Sequence, residues 1–583
     1  MSSTSKTSDV VVKFAPAFTP LRELFQKQAE TKSLVVVGQT FQVCGHVRSA
    51  QSKFVHLYDG TTTATLQLVF TDKQMEKVIT EFGVLYPSTT LTARVTIVKS
   101  QGAKQPFDGV VIGDSCRVLG QVRDPTTFLP AIKNVSMDTW RKRCDQRVHS
   151  RTQAAIFRIR SRLSWATHEF MKSKGVFHLD PNTITSADCE GAGEMFIVTT
   201  LGEDGLGSIP TLKKKPQLLE KQDKQPHVLE KQEKQPQLLE KQDDKKEIDW
   251  RQDFFRNDLP CRLTVSSQLQ LEALTPGVLH VYTTNPSYRA EKSTTTRHLA
   301  SFTHVEAELS FIEFKDLMDF EEEYVVFCIS TVLKECAQDL AVLEVQYAPG
   351  VTQKLKDFIA QPFARMSYDE SIEILNKSEK DVHARFPEVK KSPKWGEDLG
   401  AHCERYLAEV VSKRPAFVYN MPASLKSFYM RRNKDGKTVQ GCDLLIPGMG
   451  ELIGGSMREN NYYKLVRVMV ERKMCKGLVD EKEIKQVLDV FDAALEEKHK
   501  DRKTSIKKCE EWLNLNQSKS SKHKTLDFGA LQWYVDLRRN ASTPTGGFGV
   551  GFERLVTVCT SSLKGANIRD SLPFPVAFKE CRF

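Results

Sequence analysis

Three segments of this 583-residue chain set arginine or carboxylate beside glycines or aromatics in patterns suited to phosphate chemistry. The first is Gly546-Gly547-Phe548-Gly549-Val550-Gly551-Phe552-Glu553-Arg554. Glycine lets backbone approach a planar or anionic ligand with no Cβ in the way, and arginine adds a rigid, always-charged fork. The same run also suits a turn or tight strand–helix packing. The second is Asp443-Leu444-Leu445-Ile446-Pro447-Gly448-Met449-Gly450-Glu451, followed closely by Arg458. Its carboxylates could hold Mg²⁺, which is usually bound through one or two carboxylates plus substrate phosphates. Glu451 and Asp443 could equally be structural carboxylates. In the third, Arg289 ends one strand-like stretch, Arg297 lies in the polar loop that follows, and Phe302 opens a return strand. Two arginines and an aromatic suit a triphosphate clamp with a base-stacking face.

These residues need elements to position them. Phe41 to Arg48 alternates, as does Phe54 to Tyr58, which leads through the turn signal Asp59-Gly60 to Ala64–Phe70. Short strands joined by glycine turns from Leu34 to about Leu119 predict a small barrel. An OB-fold is the natural candidate, a class that often binds single-stranded nucleic acid. A short helix is expected around Leu21–Thr31. Apolar spacing at Ile156, Ile159, Leu163 and Ala166 predicts a helix over 153–174. A large mixed region follows, with an amphipathic helix expected over Tyr463–Leu495. Two insertions interrupt it. One repeats a proline-led ten-residue unit from Pro216, Pro226 and Pro236, and 203–248 reads as a disordered or semi-helical surface insertion, with or without an interaction role. The other, about 498–524, is lysine-rich and reads as a solvated loop or an RNA-backbone contact.

Composition narrows the class. A chain of 583 residues calls for more than one domain. No apolar run approaches 18 residues, so no transmembrane helix is expected. The thirteen cysteines form no CxxC pair, which disfavours zinc ribbons and disulfide scaffolds and fits a reducing, cytoplasmic setting. The net charge of +10 favours a polyanionic partner.

The blocks Tyr288-Arg289-Ala290-Glu291 with Arg297-His298-Leu299, Gly450-Glu451-Leu452-Ile453-Gly454-Gly455-Ser456 and the Arg554 run resemble, in order and spacing, motifs of class II aminoacyl-tRNA synthetases. With Asp188-Cys189-Glu190-Gly191, Ser266-Ser267-Gln268-Leu269, Asp536-Leu537-Arg538-Arg539 and Asn567-Ile568-Arg569-Asp570, the pattern is similar to the asparaginyl-tRNA synthetase family, in its plant-type cytosolic form. The resemblance spans about 35–583 outside the two insertions. Aspartyl-tRNA synthetases are the sibling family; Val305-Glu306-Ala307-Glu308 looks asparaginyl.

The resemblance implies an α+β protein. A lead-in at 1–33 precedes an OB-fold anticodon-binding barrel at 34–122, a hinge at 123–150, and a catalytic domain at 151–583 with a mainly antiparallel sheet. It implies ligation of asparagine to tRNA(Asn) through asparaginyl-adenylate, with ATP and Mg²⁺, in a homodimer. By analogy Arg289 contacts the α-phosphate and the substrate carboxylate, and Arg297 and Arg554 hold the γ-phosphate. Phe302 stacks on adenine, with Glu291, His298, Leu299 and Gly551 lining the ATP site. Glu451 and Asp443 hold Mg²⁺. Glu190 and Gln268 accept from the substrate ammonium, and Arg458 contacts the side-chain amide. In the barrel, Phe54 stacks on the anticodon and Gln67 reads a base edge; a core phenylalanine is the rival reading of Phe54.

The chain departs from the family pattern at Asn182, where the motif-1 proline falls one residue early at Pro181, and at Asn285, Ser301, Met457, Asn540, Ala541, Thr545 and Val576. These departures are expected to cluster inside the site and weaken asparagine selection more than ATP binding. Three alternatives to an asparagine ligase follow: a divergent tRNA-binding or interaction paralogue with weak or lost charging, an aspartyl-tRNA synthetase, and a synthetase-like enzyme making a small molecule, which the barrel argues against.

Overall fold

The computed structural model describes residues 18–31, 36–102, 105–187, 189, 194–201, 250–256, 258–476, 478, 480–496, 502–513, 526–540, 542–563 and 565–582. Glu190, the repeat insertion at 203–248 and most of the basic stretch at 498–524 lie outside these residues.

Six strands build the N-terminal unit: β1 (Thr40–Gln51), β2 (Phe54–Tyr58), β3 (Leu66–Val69), β4 (Thr90–Lys99), β5 (Phe107–Val111) and β6 (Arg117–Gly120). The order β1-β2-β3-β5-β4 closes on itself through β1–β4, and β6 extends from β4. Closure removes the open edges of a sheet. Alternation drives it: Val43, Val47, Val55, Leu57, Leu66, Leu68, Leu91 and Val95 point inward and are fully buried. A helix, Asp72–Phe82, links β3 to β4, and its start is fixed by a Thr71–Gln74 capping box. This is the expected OB-fold barrel.

The larger unit is a mixed sheet with helices. In chain order its strands are β7 (Phe177–His178), β8 (Ile184–Thr185), β9 (Ile197–Val198), β10 (Cys261–Leu263), β11 (His280–Thr283), β12 (Pro286–Tyr288), β13 (Ser301–Ser310), β14 (Ala364–Ser367), β15 (Ala416–Tyr419), β16 (Gly441–Ile446), β17 (Gly450–Met457) and β18 (Thr545–Gly551). The main sheet runs β14-β15-β16-β17-β18-β13-β11-β7, with β12 on β13; β8-β10-β9 is a separate small sheet. Only the end pairs β14–β15 and β11–β7 are parallel. The central strands are antiparallel, as expected.

Helices Arg151–Ser173 and Phe314–Glu335 pack their apolar stripes, including Ile156, Leu163, Tyr324 and Cys328, into the sheet's core. The first matches the helix expected at 153–174. The single helix expected over Tyr463–Leu495 is two, Tyr462–Glu471 and Glu481–Leu495. Lys473 turns the chain at φ 58°, and Asp480 caps the second helix by accepting from the Glu483 N–H. Within the lysine-rich stretch, Arg502–Leu513 is helical rather than a solvated loop, with Ser505, Cys509 and Leu513 buried at a spacing of four. Lysines on the outer face hid that stripe.

The barrel docks through Arg158. Its guanidinium donates to Tyr58 Oη at 2.7 Å and the Gly60 carbonyl at 3.2 Å while pairing with Asp339 at 2.7 Å. The 123–150 stretch ties the C-terminus down: Arg147 is fully buried and donates to the Arg569 and Pro573 carbonyls at 3.0 and 2.9 Å.

Candidate active site

Strands β13, β17 and β18 lie side by side, and the register His304↔Gly551 and Ile453↔Val550 brings the three sequence blocks together. Two adjoining cavities open over them, of about 280 and 260 Å³, which share Arg289, His304, Glu451 and Gly549.

The first cavity is cationic. Arg289, Arg297, His298, Phe302 and Arg554 line it, with Glu291, Leu299, Glu451 and Gly551. Every residue expected at the ATP site is therefore in one wall. Few of its charges are tied to each other. Arg554 donates to the Glu451 carbonyl at 2.7 Å and stands 3.7 Å from its carboxylate; Arg289 lies 3.9 Å from Glu291 and over the Phe302 ring at 5.7 Å. Arg297 is less basic than a free guanidinium, through burial first and then through Arg405 and Arg554.

The second cavity is a closed polar network. Arg458, 2% exposed, pairs with buried Glu308 through Nε at 3.0 Å and Nη2 at 2.9 Å, and Nη1 donates to Ser456 Oγ. The Gln268 amide donates to Glu308 and to the Ala307 carbonyl at 3.1 Å, which leaves its carbonyl oxygen as the acceptor. Ser266 Oγ and the Ser267 N–H donate to Glu306. Burial pushes Glu306 up to about 7 despite those donors. Its neighbour His304 is pushed down to about 3 by burial and the nearby arginines, so the imidazole is neutral at physiological pH.

The cavities meet at Glu451. Burial works against its carboxylate, but Arg554, Lys426 and Arg289 outweigh that and hold its pKa below the ordinary glutamate value. Asp443 carries Lys426 on both carboxylate oxygens, at 2.7 and 2.6 Å. Burial nonetheless leaves Asp443 above its ordinary value, with Glu451 adding to the rise. Among the described residues no group of three or more His, Cys, Asp or Glu is placed to hold a metal. The two carboxylates do converge on one spot: a Cβ added at Gly454 would lie 3.1 Å from Glu451 Oε1 and 3.7 Å from Asp443 Oδ1. Mg²⁺ takes one or two carboxylates and completes its shell with phosphates and water; here Lys426 already occupies both Asp443 oxygens, so Glu451 is the carboxylate with room for it.

The glycine run has two uses. A Cβ at Gly549 would fall 2.5 Å from His304 Nε2, and one at Gly547 would fall into Glu308 and Gln268. Those glycines let β18 press against side chains of the site. Gly551 lines the cationic cavity directly. Glu553 also lines that cavity, but its buried carboxylate is tied down: it pairs with Arg160 at 2.8 Å and accepts from the Thr303 N–H.

Ala541 lies outside the described residues, and none of the other departures lines either cavity. Ser301 pairs across from Tyr288, Met457 is fully buried with its sulfur against Gly546, Thr545 is fully buried, and Asn540 is exposed at a helix end. Two of them meet: Asn285 Nδ2 donates to the Pro181 carbonyl at 2.6 Å. Of the departures, Thr545 alone reaches the second cavity's network: its hydroxyl is buried beside Glu308 and has no hydrogen-bond partner among the described residues.

Sequence reasoning did not single out Lys426 or His304. Lys426 lies 17 residues from its partner Asp443 in a segment with no periodic signal. His304 sits on the return strand after Phe302, and its alternation with Phe302 and Glu306 was the available cue.

In the barrel, Phe54 is 37% exposed on the outward face of β2, with Lys53 Nζ 6.0 Å from its ring centroid, so it is not a core residue. Gln67 is on the same face of the adjoining strand, opposite His56.

A mainly antiparallel sheet carrying arginines and a glutamate on three adjacent strands, joined to an OB barrel, is the architecture of a class II tRNA synthetase. Residues 242–497 match the family model of class II tRNA synthetases (D, K and N). Asparagine–tRNA ligases from Porphyromonas gingivalis and Myxococcus xanthus are each 34% identical, over 93% and 92% of this chain and 95% of each relative. A chloroplastic/mitochondrial asparagine–tRNA ligase of Arabidopsis thaliana is 33% identical over 94% of this chain and 82% of its own length. The chain belongs to the asparagine–tRNA ligase family. Its fold is that of the asparaginyl-tRNA synthetase of Pyrococcus horikoshii, with a TM-score of 0.64 at 24% identity over 93% of this chain and 95% of that one. The aspartyl-tRNA synthetase of Entamoeba histolytica scores 0.62 at 16% identity, over 97% of this chain and 92% of that one, so the fold alone does not separate the two amino acids.

Proposed function

We propose that this chain ligates asparagine to tRNA(Asn) with ATP, through asparaginyl-adenylate. The observation that carries the reading is the pair of cavities, one cationic and one a neutralised polar network, that meet at Arg289 and Glu451. The Pyrococcus protein of the same fold was solved with asparaginyl-adenylate.

The substrate carboxylate attacks the α-phosphate of ATP, and pyrophosphate leaves. Arg289, between the cavities, holds the carboxylate and the α-phosphate and offsets charge that builds in the transition state. Arg297 and Arg554 hold the terminal phosphates. Phe302 stacks on adenine, with Glu291, His298, Leu299 and Gly551 shaping the nucleotide's bed. The Gln268 carbonyl oxygen accepts from the substrate ammonium, and Glu190 serves the same group. Arg458, fixed by Glu308 and Ser456, presents its remaining N–H groups to the side-chain amide oxygen. Glu451 would hold Mg²⁺, which neutralises phosphate charge when bound. The ribose hydroxyl of the tRNA then takes the asparaginyl group. Positioning and charge neutralisation supply most of the catalysis.

Phe54 and Gln67 share an exposed barrel face suited to stacking on and reading anticodon bases; such stacking contributes ~1–3 kcal/mol per base. A homodimer is supported by the apolar surface at the β7 edge of the main sheet, where Phe177 is 58% exposed, and on the Arg151–Ser173 helix beside it, where Trp165 is 64% exposed. Action in the cytoplasm is supported by thirteen free cysteines. Among the described residues no helix is long and apolar enough to cross a membrane.

The test is charging of tRNA(Asn) with radiolabelled asparagine. Charging that Arg289→Ala abolishes supports the reading. Retained tRNA binding with no charging points to a tRNA-binding paralogue, and charging with aspartate overturns the choice of amino acid.

A further inference from the structure

A third cavity, of about 280 Å³, adjoins the nucleotide cavity and shares Arg297 and Ile568 with it. Its other charged wall is Arg405, from the helix Gly400–Tyr406, outside all three motif blocks. The glycines Gly448 and Gly565 and the apolar Met449 and Leu563 complete much of the wall, and no carboxylate lines it among the described residues.

Arg405 is held in place. Its Nε donates to Glu409 Oε1 at 2.8 Å, and the same oxygen accepts from the Gly448 N–H at 2.8 Å. The guanidinium also sits 5.1 Å from the Phe386 ring centroid. One edge and one face are thereby fixed, while Nη1 and Nη2 make no hydrogen bond among the described residues. The Arg297 side chain likewise has neither hydrogen bond nor ion pair among them. Burial first, and then Arg405 and Arg554, depress Arg297 against the opposing pull of Glu404 and Glu409, so three guanidinium groups share one region. Fixed cations with open donors in a pocket free of carboxylates suit a polyphosphate.

We propose that Arg405 is a third arginine of the polyphosphate clamp, and that the cavity it shares with Arg297 receives the terminal phosphates of ATP and the pyrophosphate that leaves. This rests on the proposed ligase reading. The substrate carboxylate oxygen forms a bond to the α-phosphorus as the bridging oxygen to the β-phosphate breaks away. The electron pair leaves with pyrophosphate, and Arg405 meets the charge that accumulates there. A partner of Glu409 alone would not affect that step.

The test uses the full chain and inorganic pyrophosphate as the probe. Binding is measured by calorimetry, and asparagine-dependent ATP–pyrophosphate exchange in parallel, for the wild type, Arg405→Ala, Arg405→Lys and Glu409→Gln. Arg405→Ala is expected to weaken pyrophosphate binding and raise KM for ATP and pyrophosphate about tenfold, the loss expected for one charge-assisted contact. KM for asparagine and the thermal midpoint stay put. Arg405→Lys falls between, and Glu409→Gln has a smaller effect. Where Arg405→Ala lowers the midpoint, Arg405→Lys carries the comparison, since it keeps the charge but loses the fork. Wild-type pyrophosphate affinity and KM in a folded Arg405 variant overturn the proposal. Absent exchange in the wild type, with pyrophosphate binding still lost in Arg405→Ala, overturns the ligase reading and leaves the anion site standing.

Discussion

The two cavities that meet at Glu451 handle charge in opposite ways. In the nucleotide cavity Arg297 and Arg554 face the space with few partners among the described residues. In the amino-acid cavity nearly every polar group is already paired: Arg458 with Glu308 and Ser456, Gln268 with Glu308, and Glu306 with Ser266 and Ser267. The first waits for a polyanion and is stabilised by it. The second is pre-organised, so a ligand must match donors and acceptors that do not reorient. A site of that kind rejects a side chain that leaves one of its buried groups unpaired.

The largest effect is expected where the two meet. Arg289→Ala should lower asparagine-dependent exchange by ~10²–10³ or more, the loss typical of removing a transition-state donor. The thermal midpoint should barely move, because Arg289 is half-buried and lines both cavities rather than the core. A large drop in midpoint would show that Arg289 belongs to the paired region.

Next comes the contrast itself. Arg458→Ala leaves Glu308 buried without its cation and should cost about 3–5 kcal/mol of stability, read by denaturant unfolding. Arg554→Ala should cost little stability and raise KM for ATP about tenfold to a hundredfold. If both variants lost stability equally, the distinction between the cavities would fail.

The smallest effect is a pH dependence. Glu306 holds its proton up to about 7 in the folded chain, against an ordinary glutamate value of 4.5. The folded state therefore binds this proton more tightly than the unfolded chain. That stabilisation is complete below pH 4.5 and is lost as pH rises through 7. Glu306→Gln removes it, so thermal midpoints of variant and wild type should diverge across that window and run parallel on either side. Parallel curves throughout would place the Glu306 proton elsewhere.

How much of this was legible in sequence follows from which interactions have a period. The barrel strands and the Arg151–Ser173 helix announce themselves because burial repeats every two or about four residues. The ATP-side residues were legible as blocks, since their glycines and arginines are close together in the chain. The Lys426–Asp443 pair was not, because an ion pair across 17 residues leaves no pattern. The break between Tyr462–Glu471 and Glu481–Leu495 was missed because apolar spacing carries over a turn made by Lys473. Ser301 and Met457 were expected in the site from the family pattern, but strand alternation and packing put them behind the cavity, while Thr545 stays beside Glu308.

The most direct measurement is ATP–pyrophosphate exchange with asparagine beside aspartate, on the wild-type chain. A pre-organised amide-reading cavity beside a cationic nucleotide cavity predicts exchange with asparagine that exceeds aspartate by at least about a hundredfold. Equal exchange, or exchange with aspartate alone, would contradict it.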